Sequence, residues 1–194
     1  MANEDKGGSA AAWTAFAGLT PLYVFSSSLS IGMALGWTFL LVYAASSALA
    51  LLLPAAMGRK RIFIFALAAS SVACSLSASF IRIIDPFLFE STYRRLFLVA
   101  FTVPVLKSAL MPETIADRER AWENVVRGLG YAATIVVFGA LREFMASGSI
   151  SIIAEHVSTS LLPMMAQPAG AKVLLALSMA GFRLALTLAR GADR

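Results

Sequence analysis

The sequence predicts an all-α polytopic membrane protein: six transmembrane helices, arranged as two inverted three-helix repeats, with helices one and four broken. Three observations predict it. Of 194 residues, 59% are hydrophobic and 14% charged, whereas soluble chains carry about a quarter charged residues. Apolar runs of roughly 20 residues recur along the chain, the length that crosses a bilayer as a helix. The shorter alternating segments of a transmembrane barrel are absent. Finally, Pro21 and Pro104 interrupt the first and fourth runs at matching places. Three spans per half force the halves to insert with opposite topology, and paired broken helices in inverted halves point to a central site.

Residues 1–9 form a polar tail of mixed charge, unlike the basic start of a signal peptide, and are expected to be retained. Residues 10–190 form the membrane domain and 191–194 a short tail. The first span, about Ala10 to Leu29, contains Gly18-Leu19-Thr20-Pro21 and ends in Ser26-Ser27-Ser28. The second, about Gly32 to Met57, opens Gly32-x-x-x-Gly36, a close-packing pattern. Gly58-Arg59-Lys60-Arg61 leads to the third, Ile62 to Ile84, whose Ser70, Ser71, Ser75, Ser77 and Ser79 read as helix–helix contact residues. Cys74 belongs to that packing set and reads as inert.

Asp85-Pro86 ends the third span, and Arg94-Arg95 precede the fourth, about Leu96 to Met111. A polar loop, Glu113 to Glu123, separates it from the fifth span, Val125 to Phe144. Ser147 through Pro168 reads as an interfacial or re-entrant connection, and the sixth span covers Ala171 to about Leu188. On this topology Lys6, Arg59, Lys60, Arg61, Arg118, Arg120, Arg127, Arg190 and Arg194 share one side. Arg82, Arg94, Arg95, Arg142 and Lys172 share the other. The positive-inside bias places both termini in the cytoplasm. The net charge of +5 comes from loop arginines, with no basic run suited to nucleic acid. The partner it implies is a lipid bilayer.

Gly18 and Pro21 weaken the first helix where the bilayer offers no other hydrogen-bond partner. Such a break is either a site or a kink that shapes packing. Lys107, three residues after Pro104, is either a fixed positive charge at a central site or a lysine snorkelling to the cytoplasmic face. Arg183 has the same two readings. Arg142 and Glu143 are adjacent, so they point to different sides of the fifth helix and are expected to pair with neighbouring helices or termini. No Asp or Glu falls mid-span, which argues against a self-contained proton or sodium carrier. His156 lies in a loop, and one cysteine cannot build a Cys-cluster metal site. Nothing suggests a catalytic nucleophile, a phosphate loop or a dinucleotide fingerprint.

Four stretches carry a family resemblance. Leu141-Arg142-Glu143-Phe144-Met145-Ala146-Ser147-Gly148-Ser149 resembles the Arg-Glu-…-Gly-Ser-Gly-Thr end of the fifth helix in Rnf/Nqr integral membrane subunits. Gln167-Pro168-Ala169-Gly170-Ala171 resembles their Pro-Pro-Gly-Ala-Phe before the sixth. Gly18-Leu19-Thr20-Pro21 is similar to their Gly-Leu-Cys-Pro, and Val105-Leu106-Lys107-Ser108 to their Val-Asn-Cys. The resemblance runs from about Trp13 to Arg190 and is strongest to the E-type Rnf and D-type Nqr subunits.

It implies a subunit of a complex coupling electron transfer to sodium or proton movement across a bacterial inner (plasma) membrane. The implied partners are other Rnf/Nqr-like membrane subunits, one of them homologous and oppositely oriented. The implied cofactor is a shared [2Fe–2S] cluster, held by one cysteine from the first and one from the fourth helix of each subunit. Thr20 and Ser108 stand at those cysteine positions, and a hydroxyl is a poor substitute for a thiolate on iron. The expectation is therefore a cluster-less paralogue with a structural or ion-path role, Gly18, Pro21, Pro104 and Lys107 lining the former site. The alternative is an autonomous small-solute transporter or channel on the same scaffold; a third reading is a purely structural assembly protein.

Overall fold

The computed structural model describes residues 18–52, 59–102, 105, 118–148, 150 and 162–192. Every regular element among them is helical. In chain order these are α1 (Thr20–Phe25), α2 (Leu29–Leu52), α3 (Arg59–Ile84) and α4 (Pro86–Leu96). A 3-10 turn (Phe97–Phe101), α5 (Arg118–Ser147), α6 (Pro163–Ala166) and α7 (Pro168–Ala192) complete the set. Three stretches are long and apolar enough to cross a membrane: Leu29–Leu49, Lys60–Ile84 and Val125–Ser147. A shorter apolar stretch, Pro168–Gly181, opens α7. This is the architecture of a helical membrane protein.

The core sits around α2, which packs along α3 on one side and α5 on the other. The α2–α5 contact is antiparallel and close. A Cβ on Gly32 would stand 3.3 Å from the Ile135 carbonyl oxygen, and one on Gly36 3.2 Å from that of Ala132. The Gly32-x-x-x-Gly36 pattern therefore does what small residues do in bilayers, letting backbones approach where lipid supplies no hydrophobic drive. Further along, Phe39, Tyr43 and Tyr131 stack and meet edge to face. Between α2 and α3, the Thr38 hydroxyl donates to the Ala34 carbonyl at 2.8 Å. Its oxygen therefore accepts from Ser77 at 2.7 Å. Both residues are fully buried.

The serines of α3 divide. Ser70 and Ser77 are buried as expected, whereas Ser71, Ser75 and Ser79 face outward. The outward three donate to carbonyls one turn back, at Leu67, Ser71 and Ser75. An α-helix exposes the i and i+4 positions on one stripe, so five serines over ten residues cannot all meet one neighbour.

The segment after Ile84 also differs from expectation. Instead of a loop ahead of a span starting at Leu96, α4 begins directly at Pro86. Asp85 is extended and accepts the Leu88 N–H at 2.9 Å, and Pro86 sits in the first turn, where its missing donor costs nothing. With a single residue between them, α3 and α4 form a hairpin: Cys74 Sγ lies 3.6 Å from the Leu96 carbonyl oxygen. These two residues are each eleven positions from Asp85, one before and one after. The fourth segment thus runs back along α3 from Pro86 and breaks at Leu96, where it tightens into the 3-10 turn. Cys74 is buried, and its proton is directed at that carbonyl.

Candidate functional site at the broken helix

The break at residues 18–21 is present. Gly18 is helical, Leu19 is a turn residue, and Thr20 opens a new six-residue helix whose first turn holds Pro21. The Leu19 carbonyl accepts from Leu22 and Tyr23 at 2.9 and 3.1 Å, which restarts the ladder. Leu19 and Leu22 are fully buried, half-buried Thr20 stands between them, and Pro21 is exposed. α1 ends at Phe25, and Ser26-Ser27-Ser28 carry the chain into α2. Two short helices, α1 and α6, therefore present C-terminal carbonyls inside the protein, where water does not satisfy them.

Arg142 supplies the donors. Its Nε donates to the Met165 carbonyl at 2.7 Å and Nη2 to that of Gln167 at 2.8 Å, both at the end of α6. Nη1 donates to Val24 at 2.7 Å and to Ser26 at 3.3 Å, both at the end of α1. The residue is 1% exposed. Its planar fork of five N–H groups suits this task, because one rigid group reaches carbonyls on two segments at once. A cation at two helix C-termini is also favoured by the partial negative charge there. Arg95 from α4 adds a bond from Nη1 to the Phe25 carbonyl at 3.3 Å and stacks over the Phe25 ring.

Glu143 serves the opposite polarity. Its Oε2 accepts the Leu29 N–H at 2.7 Å, capping the start of α2. Adjacent residues on α5 thus reach two kinds of helix terminus, the cation taking carbonyls and the anion taking an amide. Nearby, Ser26 Oγ donates to the Ile135 carbonyl at 3.3 Å. A Cβ on Gly139 would collide with Ser26 Oγ and stand 2.8 Å from the Ser28 carbonyl oxygen. Gly148 closes α5 with φ 74°, a left-handed conformation that suits glycine, and its N–H returns to the Phe144 carbonyl at 2.7 Å. Gly170 lets α7 start against the backbone of Met164 and Met165.

On the other flank of α1, Thr134 Oγ1 donates to the Tyr131 carbonyl at 2.7 Å, so the buried Tyr23 hydroxyl donates to Thr134 at 3.1 Å. Ser46 of α2 donates to the Val105 carbonyl at 3.5 Å. Pro104, Lys107, Ser108 and His156 lie outside the described residues, as does the side chain of Arg183.

Of the sequence-derived candidates, Gly18, Thr20, Pro21, Arg142, Glu143 and Gly148 belong to this junction or its edges. Sequence reasoning missed Ser26, Arg95 and Gly139. Ser26 follows the break in a polar run, and that was the available signal. Arg95 stands in the last turn of α4, a helix the sequence hides because Asp85-Pro86 signals a helix end as well as a start.

Among the described residues no cysteine stands at this junction, and a thiolate is the donor an iron–sulfur cluster takes. The described residues offer no group of three or more His, Cys, Asp or Glu able to hold a metal. Thr20 carries a hydroxyl, and Cys74 is buried on α3 against Leu96. What the arrangement can do is hold a fixed positive charge and two broken segments in one rigid place. A guanidinium does not release its proton at working pH, so Arg142 is not a proton carrier. No protein-family model matches the chain, and no curated protein or solved structure matches it.

Proposed function

We propose that the chain is an integral membrane subunit of an Rnf/Nqr-like electron-transport complex, cluster-less, with a structural or ion-path role. One observation carries the reading. Three stretches that resemble the family are far apart in sequence and meet around one side chain. Arg142 belongs to the first, bonds the Gln167 that opens the second, and bonds the end of α1, the helix that the third begins. Residues kept together in this way argue for a shared scaffold more strongly than any one motif does.

The six-span inverted repeat draws support from how the two proline-containing segments are braced. Arg142 of α5 holds the end of α1, and Ser46 of α2 reaches the carbonyl of Val105, beside Pro104. Each segment is thus held by the middle helix of the other half, as a two-fold arrangement requires. We place the chain in a bacterial inner membrane with both termini cytoplasmic, beside an oppositely oriented homologous subunit. Purification from native membranes in mild detergent tests this. The chain should elute with flavin- or cluster-bearing membrane subunits and contribute no iron of its own. Elution alone would overturn the complex, and iron bound by this chain would overturn its cluster-less character. Solute flux through vesicles holding this chain only would favour an autonomous transporter instead.

A further inference from the structure

The outward face of the α3–α4 hairpin carries two guanidiniums that the junction does not use. Arg82 of α3 lies 5.9 Å from the centroid of the Phe89 ring. Phe89 packs on Tyr93 at 5.8 Å between ring centroids. Arg94 lies 5.5 Å from the Tyr93 centroid and donates from Nε to its hydroxyl at 2.8 Å. The two cations therefore flank one aromatic pair. Among the described residues neither has a carboxylate within ion-pair distance, Glu90 included. The surface around them is apolar: Phe80, Ile83, Ile84, Phe87 and Phe97 are all exposed.

The depth of these groups follows from the hairpin. Helical side chains tilt toward the helix N-terminus. The N-terminus of α4 is at Asp85, the end at which the spanning helix α3 also stops. Arg94 is thus directed up its own helix toward the membrane face, as a snorkelling arginine is. Arg82 sits one turn below the same end and by the same tilt leans down α3 toward Phe89, so the two guanidiniums lean toward each other, and Tyr93 has the amphipathic ring found at headgroup level. A guanidinium near this depth is costly, and an anionic headgroup from outside the chain lowers that cost.

We propose that Arg82 and Arg94 form a phosphate-binding face for anionic phospholipid headgroups, with Phe89 and Tyr93 lying along the acyl–glycerol boundary. The occupant is lipid and not a free anion, because the cations sit among exposed apolar side chains that acyl chains cover and a free anion does not. Native mass spectrometry of the full chain, offered equal phosphatidylglycerol and phosphatidylcholine, counts the lipids it keeps. Phosphatidylglycerol should be kept preferentially. Arg82→Gln with Arg94→Gln should lower that preference by about fivefold per arginine, while Ser71→Ala, exposed and uncharged on α3, leaves it unchanged. Arg82→Lys with Arg94→Lys should retain most of it. Equal retention in wild type and the Gln double variant would overturn the proposal. So would displacement of the lipid by millimolar inorganic phosphate, or a bound second protein copy lost in the double variant while lipid retention stays the same.

Discussion

α5 makes two contacts with very different chemistry. Along its middle it meets α2 through absent side chains: Gly32, Gly36 and Gly139 let two intact helices touch. At its C-terminal end it meets α1 and α6 through one large side chain, Arg142, that is entirely enclosed. The difference is instructive. An intact helix satisfies its own backbone, so neighbours need only shape. A broken helix exposes carbonyls that lipid cannot satisfy, so neighbours must bring donors. One contact needs small volume, the other needs charge, and both occur on a single helix within a few residues.

The sharpest way to break that contrast is to remove the charge. Arg142→Ala leaves the ends of α1 and α6 without the donors of four hydrogen bonds. Charge-assisted bonds of this kind are each worth about 1.5–3 kcal/mol net, and part of the loss is recovered by relaxation. Destabilisation on the order of 4 kcal/mol is expected, read from unfolding in mixed micelles. Arg142→Lys should recover less than half of it, because an ammonium cannot span carbonyls on two segments. Full recovery by lysine would mean that charge alone holds the junction, and its planar geometry does not matter.

The middle contact is tested by adding volume. Gly32→Ala places a methyl against the Ile135 carbonyl and the Val136 backbone of α5, and overpacking of this kind costs about 1–3 kcal/mol. Gly130 is the internal control, since nothing stands within 4 Å of its added Cβ. Gly130→Ala should be neutral or stabilising by up to about 1 kcal/mol, through helix propensity alone. Equal effects at both glycines in thermal melts would show that the close approach of α2 and α5 contributes nothing.

How far the sequence shows these two contacts follows from the same physics. Gly32-x-x-x-Gly36 is legible because small residues one turn apart have a direct spatial meaning. The break at Gly18-Leu19-Thr20-Pro21 is legible because glycine and proline act locally. The partners of Arg142 are backbone carbonyls, which carry no sequence signal, so the sequence points to neighbouring helices or termini without saying which ones. α4 is hidden for a different reason. Asp85-Pro86 ends one helix and starts the next, and this double signal conceals a hairpin that Cys74 and Leu96 make evident. The outward serines show the limit of composition, because density along a helix says nothing about which face each residue occupies.

Glu143 offers a milder test than its neighbour. Glu143→Gln keeps an acceptor for the Leu29 N–H and loses the charge facing the start of α2. A cost of about 1 kcal/mol is expected in the same micelle unfolding. A cost as large as that of Arg142→Ala would mean that the anion, and not the guanidinium, organises the junction.

The smallest expected effect belongs to Tyr23. Its ring lies 4.9 Å from that of Phe138, and Tyr23→Phe preserves this packing while deleting the bond to Thr134. Thr134 keeps its own bond to Tyr131, so the substitution strands no donor there. A loss of about 0.5–1 kcal/mol follows. Thr134→Val should cost somewhat more, because it removes an acceptor from a hydroxyl that stays buried. If the pair acts as drawn, the double variant costs less than the sum of the two singles, and the shortfall measures the bond. Strict additivity would mean that α1 is positioned by the junction alone. α5 would then grip the broken helix at its end and merely touch it along its side.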